Sequence, residues 1–302
     1  MCIKINGQIL IYENMKNLLH LIRAKQYIKN LIIFLPLFFS AQLTEPLLFY
    51  KTLIAFIAFS LCASGVYIFN DIQDVDFDRK HPHKKERPIA SGAVSVNTAY
   101  ILMFILFLVS FSIMLALYVN AAIYMGVYVL LNVAYSLHLK HIAILDVSII
   151  GIGFIIRLMV GAGVSSTQLS MWIVIMTYLL ALFIALAKRR DDVLVFMDTG
   201  KKIRKAVDGY NLTFIDSAMT ILAAVTIVAY LLYTTSTEIT SRLNFENVYL
   251  TAFFVILGIL RYLQITFVEK QSGDPVAIFL NDRFLVLTMI AWVVAFLEII
   301  YW

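Results

Sequence analysis

Nine long apolar stretches run through the amino-acid sequence, and they limit the possible folds more than any other feature. Most approach the roughly 20 residues that a helix needs to cross the hydrocarbon core of a bilayer. The pattern predicts an all-α polytopic membrane protein with about nine transmembrane helices. The first stretch is the weakest candidate, because Pro36 interrupts it and Glu45-Pro46 closes it. The stretches lie near residues 31–45, 50–69, 98–118, 121–137, 142–163, 169–187, 213–234, 248–268 and 283–302.

The composition excludes several other classes of protein. Hydrophobic residues make up 62% of the chain and charged residues 14%, against roughly 25% charged residues in an average soluble domain. The mean hydropathy is +0.88. A water-soluble enzyme, a disordered chain and a disulfide scaffold are therefore excluded. The cysteines, Cys2 and Cys62, are interpreted as free thiols without a chemical role.

The segment Met15–Asn30 precedes the first apolar stretch and alternates cations with Leu, Ile and Tyr at helical spacing. This pattern predicts an amphipathic interfacial helix that leads into the first span. The chain has no long linker and no clear internal repeat. We therefore expect a single membrane domain over residues 1–302, in which residues 1–30 form a cytoplasmic or interfacial N-terminal segment.

The distribution of lysine and arginine predicts the orientation. The loops at 70–97 and 188–212 are rich in both residue types, and with nine spans they fall on the same side as the N-terminus. Cytoplasmic loops carry an excess of Lys and Arg. The net charge of +5 is thus read as a topology signal and not as a nucleic-acid surface. We expect an integral protein of a bacterial-type inner or plasma membrane, with both loops in the cytosol and Trp302 outside.

The densest acidic cluster is the segment NDIQDVDFD, at residues 70–78. On a helix, Asp71, Asp74 and Asp78 would share one face, because they are spaced i, i+3 and i+7. Three carboxylates at the end of an apolar span require a cation, and hard oxygen ligands suit Mg²⁺. A solvated acidic helix end is the structural alternative. Asp76 points off this face and is expected only to meet water.

Cations follow the acidic segment directly. The stretch after Asp78 ends in Arg87-Pro88, and Gly92 follows. A phosphorylated ligand could be bound through a metal on one side and an arginine on the other. Asn70 lies one turn from Asp74 and could share that ligand.

The motif Asn-Asp-x-x-Asp-x-x-x-Asp, followed by Arg-Pro and Gly, resembles the first signature of the UbiA superfamily of intramembrane prenyltransferases. The resemblance implies nine helices around a central cavity open to the cytosol, and Mg²⁺ ions that hold a prenyl diphosphate. It also implies that Asp71, Asp74 and Asp78 are catalytic residues that ligate the metal. In that family a second acidic motif follows the sixth span.

The second motif departs from the usual prenyltransferase pattern of Asp-x-x-x-Asp. Here the run Lys188-Arg189-Arg190-Asp191-Asp192 places a cation where the first acid is expected. This run resembles the decaprenyl-phosphate phosphoribosyltransferase branch of the superfamily. Further segments with the same resemblance are Gln26-Tyr27-Ile28-Lys29-Asn30, Leu139-Lys140, Asp146 with Phe154 and Arg157, and Ile203-Arg204-Lys205-Ala206-Val207-Asp208-Gly209-Tyr210.

The branch resemblance implies transfer of phosphoribose from phosphoribosyl pyrophosphate (PRPP) to a polyprenyl phosphate, a lipid-linked phosphate acceptor. PRPP carries one phosphate more than a prenyl diphosphate, and extra cations suit it. Asp192 is implied as a further metal ligand. The residues predicted to bind substrate are Lys29, Asn70, Arg87, Lys140, Asp146, Arg157, Lys188, Arg189, Arg204 and Tyr210.

Structural alternatives stand beside several of these assignments. Lys188 could snorkel from a span end, and Arg204 could pair with Asp208 one turn away. Arg157 and Asp146 are close to three turns apart and could pair with each other. Two other functions also fit the chain: polyprenyl transfer from a polyprenyl diphosphate to an aromatic acceptor, and membrane transport.

Overall fold

The computed structural model describes residue 15 and residues 17–301, except for 81–83, 201–204 and 244. Within these ranges every regular element is a helix. Short 3₁₀ helices occupy Ala24–Phe34, Lys84–Glu86, Leu139–His141, Lys205–Gly209 and Glu246–Thr251. The α-helices are α1 (Leu35–Phe39), α2 (Pro46–Gln73), α3 (Val75–Lys80), α4 (Val96–Leu117), α5 (Val119–Leu137), α6 (Leu145–Ser165), α7 (Met171–Thr199), α8 (Leu212–Thr235), α9 (Thr237–Leu243), α10 (Ala252–Phe267), α11 (Pro275–Asn281) and α12 (Arg283–Tyr301).

Eight helices in the described part of the chain are long and apolar enough to cross a membrane: α2, α4, α5, α6, α7, α8, α10 with the 3₁₀ helix before it, and α12. They coincide with the second to ninth predicted stretches, so the all-α polytopic prediction is confirmed. The first stretch differs. It forms part of the 3₁₀ helix and the five-residue helix α1, because Pro36 stands in the first turn of α1 and Ala41 has a φ of 60° that ends it.

The predicted continuous amphipathic helix over Met15–Asn30 is wrong. The helical turn that precedes Ile22 ends there, and the 3₁₀ helix Ala24–Phe34 begins two residues later. Arg23 separates them with a φ of 52°, in the left-handed region. An arginine adopts this conformation at a cost of roughly 1–2 kcal/mol, and its side-chain contacts, described below, offset that cost.

Several helices begin with a side chain that accepts a hydrogen bond from a backbone N–H of the first turn. Ser95 accepts from the N–H of Thr98 at the start of α4, and Asn211 accepts from the N–H of Phe214 at the start of α8. Each such cap contributes about 1 kcal/mol. Polar residues between apolar stretches therefore set the helix boundaries.

The chain divides into two compact units, which we describe separately. Unit one comprises the described residues of Met1–Leu137 and of Ile156–Thr167. Its main core includes Phe59, whose ring lies 4.8 Å from that of Tyr128. Gly161 allows a close backbone approach, because a Cβ atom there would lie 2.0 Å from the carbonyl oxygen of Ile33.

Unit two comprises the described residues of His138–Ile155 and of Gln168–Trp302. Tyr262 is buried in its core, with its ring 5.3 Å from that of Phe183 and 5.4 Å from that of Phe279. The indole N–H of Trp292 donates to the hydroxyl of Tyr230 at 2.8 Å. Apolar packing with few, mutually bonded polar groups is the pattern expected of helices that cross a bilayer.

Candidate functional site

The acidic segment of unit one does not lie on one continuous helix. Helix α2 ends at Gln73, Asp74 has non-helical angles (φ −96°, ψ 5°), and α3 begins at Val75. The single uninterrupted helix expected for the three carboxylates is therefore not formed. Backbone hydrogen bonds nevertheless continue through the interruption, because the N–H of Asp74 donates to the carbonyl of Asn70 at 3.0 Å and the N–H of Asp78 donates to that of Asp74 at 2.8 Å.

Arg87 nevertheless joins the first and last of these carboxylates. Its Nη1 donates to Oδ1 of Asp71 at 2.9 Å and to Oδ2 of Asp78 at 2.6 Å. Both aspartates are buried, whereas the arginine side chain is 23% exposed. Buried carboxylates require paired cations, so these three residues form one charged cluster at the end of α2.

The Arg-Pro segment folds into a turn that holds Arg87 in this position. The N–H of Val94 donates to the carbonyl of Pro88 at 2.8 Å. Gly92 has a φ of +82°, which glycine adopts without steric cost. Ile89 is buried in the turn and anchors it in the core of unit one.

Arg23 is a member of this cluster that the sequence reasoning missed. Its guanidinium forms a short ion pair with Oδ1 of Asp71, the oxygen that Arg87 also contacts. The same guanidinium lies 5.1 Å from the centre of the Tyr67 ring. In the sequence Arg23 is one of several N-terminal cations, and no local spacing links residue 23 to residue 71.

The cluster fits a divalent cation in part. Oδ1 of Asp78 is buried and has no hydrogen-bond partner, and an orphaned carboxylate oxygen of this kind is rare in proteins. Hard oxygen donors suit Mg²⁺. However, within the described ranges no three Asp, Glu, His or Cys side chains are grouped closely enough to hold a metal. Asp74 is half-buried, and Asp76 faces water with its side chain 86% exposed, as predicted.

Three other predicted site residues of unit one lie in different surroundings. Asn70 accepts a hydrogen bond from the hydroxyl of Ser136 at 3.2 Å. Arg157 is buried, and its Nε donates to Oδ1 of Asn30 at 2.7 Å. Lys29 is half-buried on the 3₁₀ helix that also contains Asn30.

Arg157 also lies beside two aromatic rings of unit one that pack against each other. Its guanidinium is 5.1 Å from the centre of the Phe59 ring and 4.8 Å from that of the Tyr128 ring. Its Nη2 donates to the Tyr128 hydroxyl at 3.2 Å. Because aromatic faces attract cations, these contacts stabilise the buried charge inside the helices.

In unit two the predicted residues Asp146, Arg189 and Tyr210 come together. Arg189 Nε donates to Oδ2 of Asp146 at 2.6 Å, and the Tyr210 hydroxyl donates to Oδ1 at 2.6 Å. Asp146 and Arg189 are almost completely buried. Burial, and then the hydrogen bond to Asp146, raise the pKa of Tyr210 above its ordinary value. These three residues form an internal network and not an exposed phosphate site.

The run Lys188–Asp192 separates into buried and accessible members. Arg190 donates to Oδ1 of Asp216 at 2.7 Å, and Asp192 forms a short ion pair with Arg189. The predicted metal ligand Asp192 is thus a buried member of the internal network. Lys188 is exposed and Asp191 is half-buried, and they are three residues apart on α7.

Asp191 lies against the loop that follows α10. A Cβ atom at Gly273 would lie 2.7 Å from Oδ2 of Asp191. Lys140, on the 3₁₀ helix Leu139–His141, is half-buried. Arg204 lies outside the described residues.

The described ranges contain eight helices long and apolar enough to cross a membrane, and a cluster of two buried aspartates and two arginines lies at the junction of α2 and α3. These features are those of a polytopic helical membrane protein. The sequence profile of the UbiA prenyltransferase family matches residues 31–288. The chain therefore belongs to the UbiA prenyltransferase family, as its motifs predicted.

Two relatives resemble the chain over most of its length. It is 33% identical to the decaprenyl-phosphate phosphoribosyltransferase of Mycolicibacterium smegmatis, over 91% of this chain and 90% of that protein. The protein of the same name from Corynebacterium glutamicum is 31% identical, over 93% of this chain and 85% of the relative.

A solved structure supports the fold. The UbiA homolog from Archaeoglobus fulgidus bound to DMAPP and Mg²⁺ has a TM-score of 0.69 over 93% of this chain and 98% of that one. Its sequence identity is 16%, so this likeness concerns the fold alone.

Proposed function

We propose that the protein is an Mg²⁺-dependent enzyme that transfers phosphoribose from PRPP to a polyprenyl phosphate and releases pyrophosphate. The observation that supports this most strongly is the similarity to decaprenyl-phosphate phosphoribosyltransferases over about nine-tenths of the chain. Membership of the UbiA family alone would be compatible with donors other than PRPP. The likeness to this branch favours a phosphoribosyl donor.

In the proposed reaction, an oxygen of the lipid phosphate attacks the anomeric carbon of PRPP. A new carbon–oxygen bond forms while the bond from that carbon to pyrophosphate breaks, and the electron pair leaves with the pyrophosphate. The attacking phosphate is already ionised at neutral pH, so the reaction requires no general base. Stabilisation of the departing charge is therefore the main task of the protein.

Asp71 and Asp78 are the proposed metal ligands, because both are buried and converge on one cation, the Arg87 guanidinium. Bound Mg²⁺ would neutralise the charge that develops on the leaving pyrophosphate. Asp74 is a candidate for a further ligand, since it is half-buried at the break between α2 and α3. Arg87 is positioned to contact phosphate oxygens beside these carboxylates.

Among the cations of the second motif, Lys188 is the proposed phosphate contact. It is exposed at a point where Arg189 and Arg190 are both buried in ion pairs. Arg204 remains a second proposed contact on sequence grounds. Arg189 and Tyr210 are better explained as positioning residues, because their polar groups bind Asp146.

The second candidate function is prenyl transfer from a polyprenyl diphosphate to an aromatic acceptor. The match to the UbiA prenyltransferase family favours it. Lys188 argues against it, because a cation there replaces an acid of the usual prenyltransferase motif. A transporter is less well supported, since the acidic cluster lies at the junction of α2 and α3 and not along the length of a span.

The deciding experiment uses the purified full-length protein in detergent or lipid nanodiscs. It is incubated with PRPP labelled in the ribose, Mg²⁺ and a series of polyprenyl phosphates, and the label in the lipid phase is measured. We expect Mg²⁺-dependent transfer by wild type and by Asp76→Asn, and none by Asp71→Asn.

Calorimetric titrations with PRPP and with a prenyl diphosphate, both with Mg²⁺, separate the two candidates. We expect binding of PRPP. Tight binding of the prenyl diphosphate with no signal for PRPP would overturn the phosphoribosyl assignment. The assignment to the UbiA family would remain.

A further inference from the structure

We propose that Arg23 and Arg87 are exchangeable counterions. They neutralise Asp71 and Asp78 in the absence of metal, and they transfer to the anionic diphosphate when a divalent cation takes the carboxylates. This inference rests on the proposed metal site. This exchange of the two arginines would make metal binding and diphosphate binding depend on each other.

The charges of the cluster are balanced, which supports the exchange. The cluster contains two guanidinium groups and two buried carboxylates, so it is neutral as it stands. A buried carboxylate without a partner would be strongly destabilising, and the arginines provide that pairing. A divalent cation on the same carboxylates adds two positive charges to a neutral cluster. A diphosphate is the kind of ligand that this excess would attract.

The aspartates and the arginines of the cluster are unequally buried. The carboxylates of Asp71 and Asp78 are 3% and 2% exposed, whereas the side chains of Arg23 and Arg87 are 25% and 23% exposed. The carboxylates are therefore fixed in the core, while each guanidinium reaches the surface of the cluster. A long arginine side chain can change partners with a small movement of its end.

Both arginines contact the same oxygen, Oδ1 of Asp71. Removing Arg23 leaves that carboxylate paired with Arg87, so an Arg23 variant should still fold. Arg23 is also attached independently, because its guanidinium lies over the Tyr67 ring. It can thus stay near the cluster after it leaves Asp71.

The test compares Arg23→Gln with Arg79→Gln as a matched control. Arg79 also pairs with a carboxylate of the acidic segment, Asp76, but both of these side chains are exposed. Two affinities are measured by calorimetry on the full-length protein: that of Mg²⁺ alone, and that of inorganic pyrophosphate at saturating Mg²⁺.

The two affinities should move in opposite directions in Arg23→Gln. Mg²⁺ alone should bind several-fold more tightly, because a competing cation is gone. Pyrophosphate should bind roughly ten- to a hundredfold more weakly, because one charged contact is lost. Arg79→Gln should change neither affinity. Weaker Mg²⁺ binding, or unchanged pyrophosphate binding, in a folded Arg23→Gln protein would overturn the proposal.

A second variant covers the case in which Arg23→Gln does not fold. Arg23→Lys keeps the positive charge but loses the planar guanidinium group. The affinities for Mg²⁺ and for pyrophosphate should therefore shift in the same directions as in Arg23→Gln, but by smaller factors. Unchanged affinities in Arg23→Lys and absent folding of Arg23→Gln would together count against exchange and for a purely structural role. Pyrophosphate is common to many donors, so failure of the PRPP assignment would leave these results intact.

Discussion

The hydroxyl of Tyr210 donates a hydrogen bond to Oδ1 of Asp146 at 2.6 Å and accepts one from the N–H of Ile144 at 2.7 Å. Both of its polar functions are thus used inside unit two. Arg189 holds the other oxygen of Asp146. The tyrosine therefore connects the start of α6 to the segment before α8 and holds the carboxylate–arginine pair in place.

We expect Tyr210→Phe to lower the free energy of unfolding by about 1–3 kcal/mol, because Asp146 and a backbone N–H would each lose a partner. The apparent KM for PRPP should change little. Thermal unfolding in detergent and steady-state kinetics measure the two effects. Unchanged stability together with a tenfold rise in KM would instead mean that the hydroxyl contacts substrate.

The carboxylates of the acidic segment at the junction of α2 and α3 should differ in their importance for turnover. Asp71→Asn and Asp78→Asn should each abolish turnover, because each removes a buried charge from the proposed metal site and several kcal/mol of leaving-group stabilisation. Asp76→Asn should retain nearly full activity, since that side chain is 86% exposed. Label transfer from PRPP at saturating Mg²⁺ is the measurement. Equal losses at Asp76 and Asp71 would be incompatible with this arrangement.

Asp74→Asn tests the residue at the interruption between α2 and α3. If Asp74 ligates the metal from the break after α2, the Mg²⁺ concentration needed for half-maximal activity should rise about tenfold or more. If it only ends the helix, that concentration should stay the same. The spacing groups Asp74 with Asp71 and Asp78 on the face of an uninterrupted helix, and the structure interrupts the helix at Asp74.

Much of the architecture follows from local sequence pattern, whereas the charge pairing does not. Apolar length predicts nine spans, and the described residues contain eight long apolar helices at the second to ninth of these stretches. The pairing of Arg23 with Asp71 joins residues 48 positions apart, and it depends on how the helices pack. Helix packing also buries Asp192 while it leaves the neighbouring Asp191 half-buried. The sequence alone does not predict this difference in burial.

Gly161 offers a test of the packing in unit one. A Cβ atom at this position would lie 2.0 Å from the carbonyl oxygen of Ile33, which is backbone and cannot turn aside. Gly161→Ala should therefore destabilise the protein by about 1–3 kcal/mol. Gly126→Ala is the matched control in the same unit, because its nearest neighbour would be Phe111 at 3.9 Å. Equal thermal stability of the two variants would contradict the close approach.

The orientation can be tested with single cysteines in a Cys2→Ser background, in which the remaining Cys62 is buried. Lys85→Cys lies in the loop predicted to be cytoplasmic and is exposed. It should resist a membrane-impermeant thiol reagent in intact cells and react after permeabilisation. Asn120→Cys, exposed at the start of α5, should react in intact cells. The reverse pattern would invert the topology.

We expect the free energy of unfolding to depend on pH through the carboxylate of Asp282. Its carboxylate accepts from Arg261 Nη2 at 2.7 Å and from the N–H of Leu285 at 2.8 Å, at the start of α12. The hydrogen bond from Arg261, followed by the backbone contacts, holds the pKa of Asp282 below its usual range. Because the pKa is lower in the folded state, the stabilisation is fully present above the unfolded value of about 3.9. It is lost as the pH falls through the folded value.

Asp282→Asn retains a side chain that can cap the helix but loses the charge. Wild type should be more stable than this variant at pH 7 by a few tenths to about 1 kcal/mol. The difference should shrink as the pH falls below about 4. Asp282→Ala should lose the cap as well, at a cost of about 0.5–2 kcal/mol that persists at low pH. Thermal unfolding in detergent between pH 3 and pH 7 checks both variants. A constant gap between wild type and Asp282→Asn across this range would mean that the ion pair does not contribute to stability.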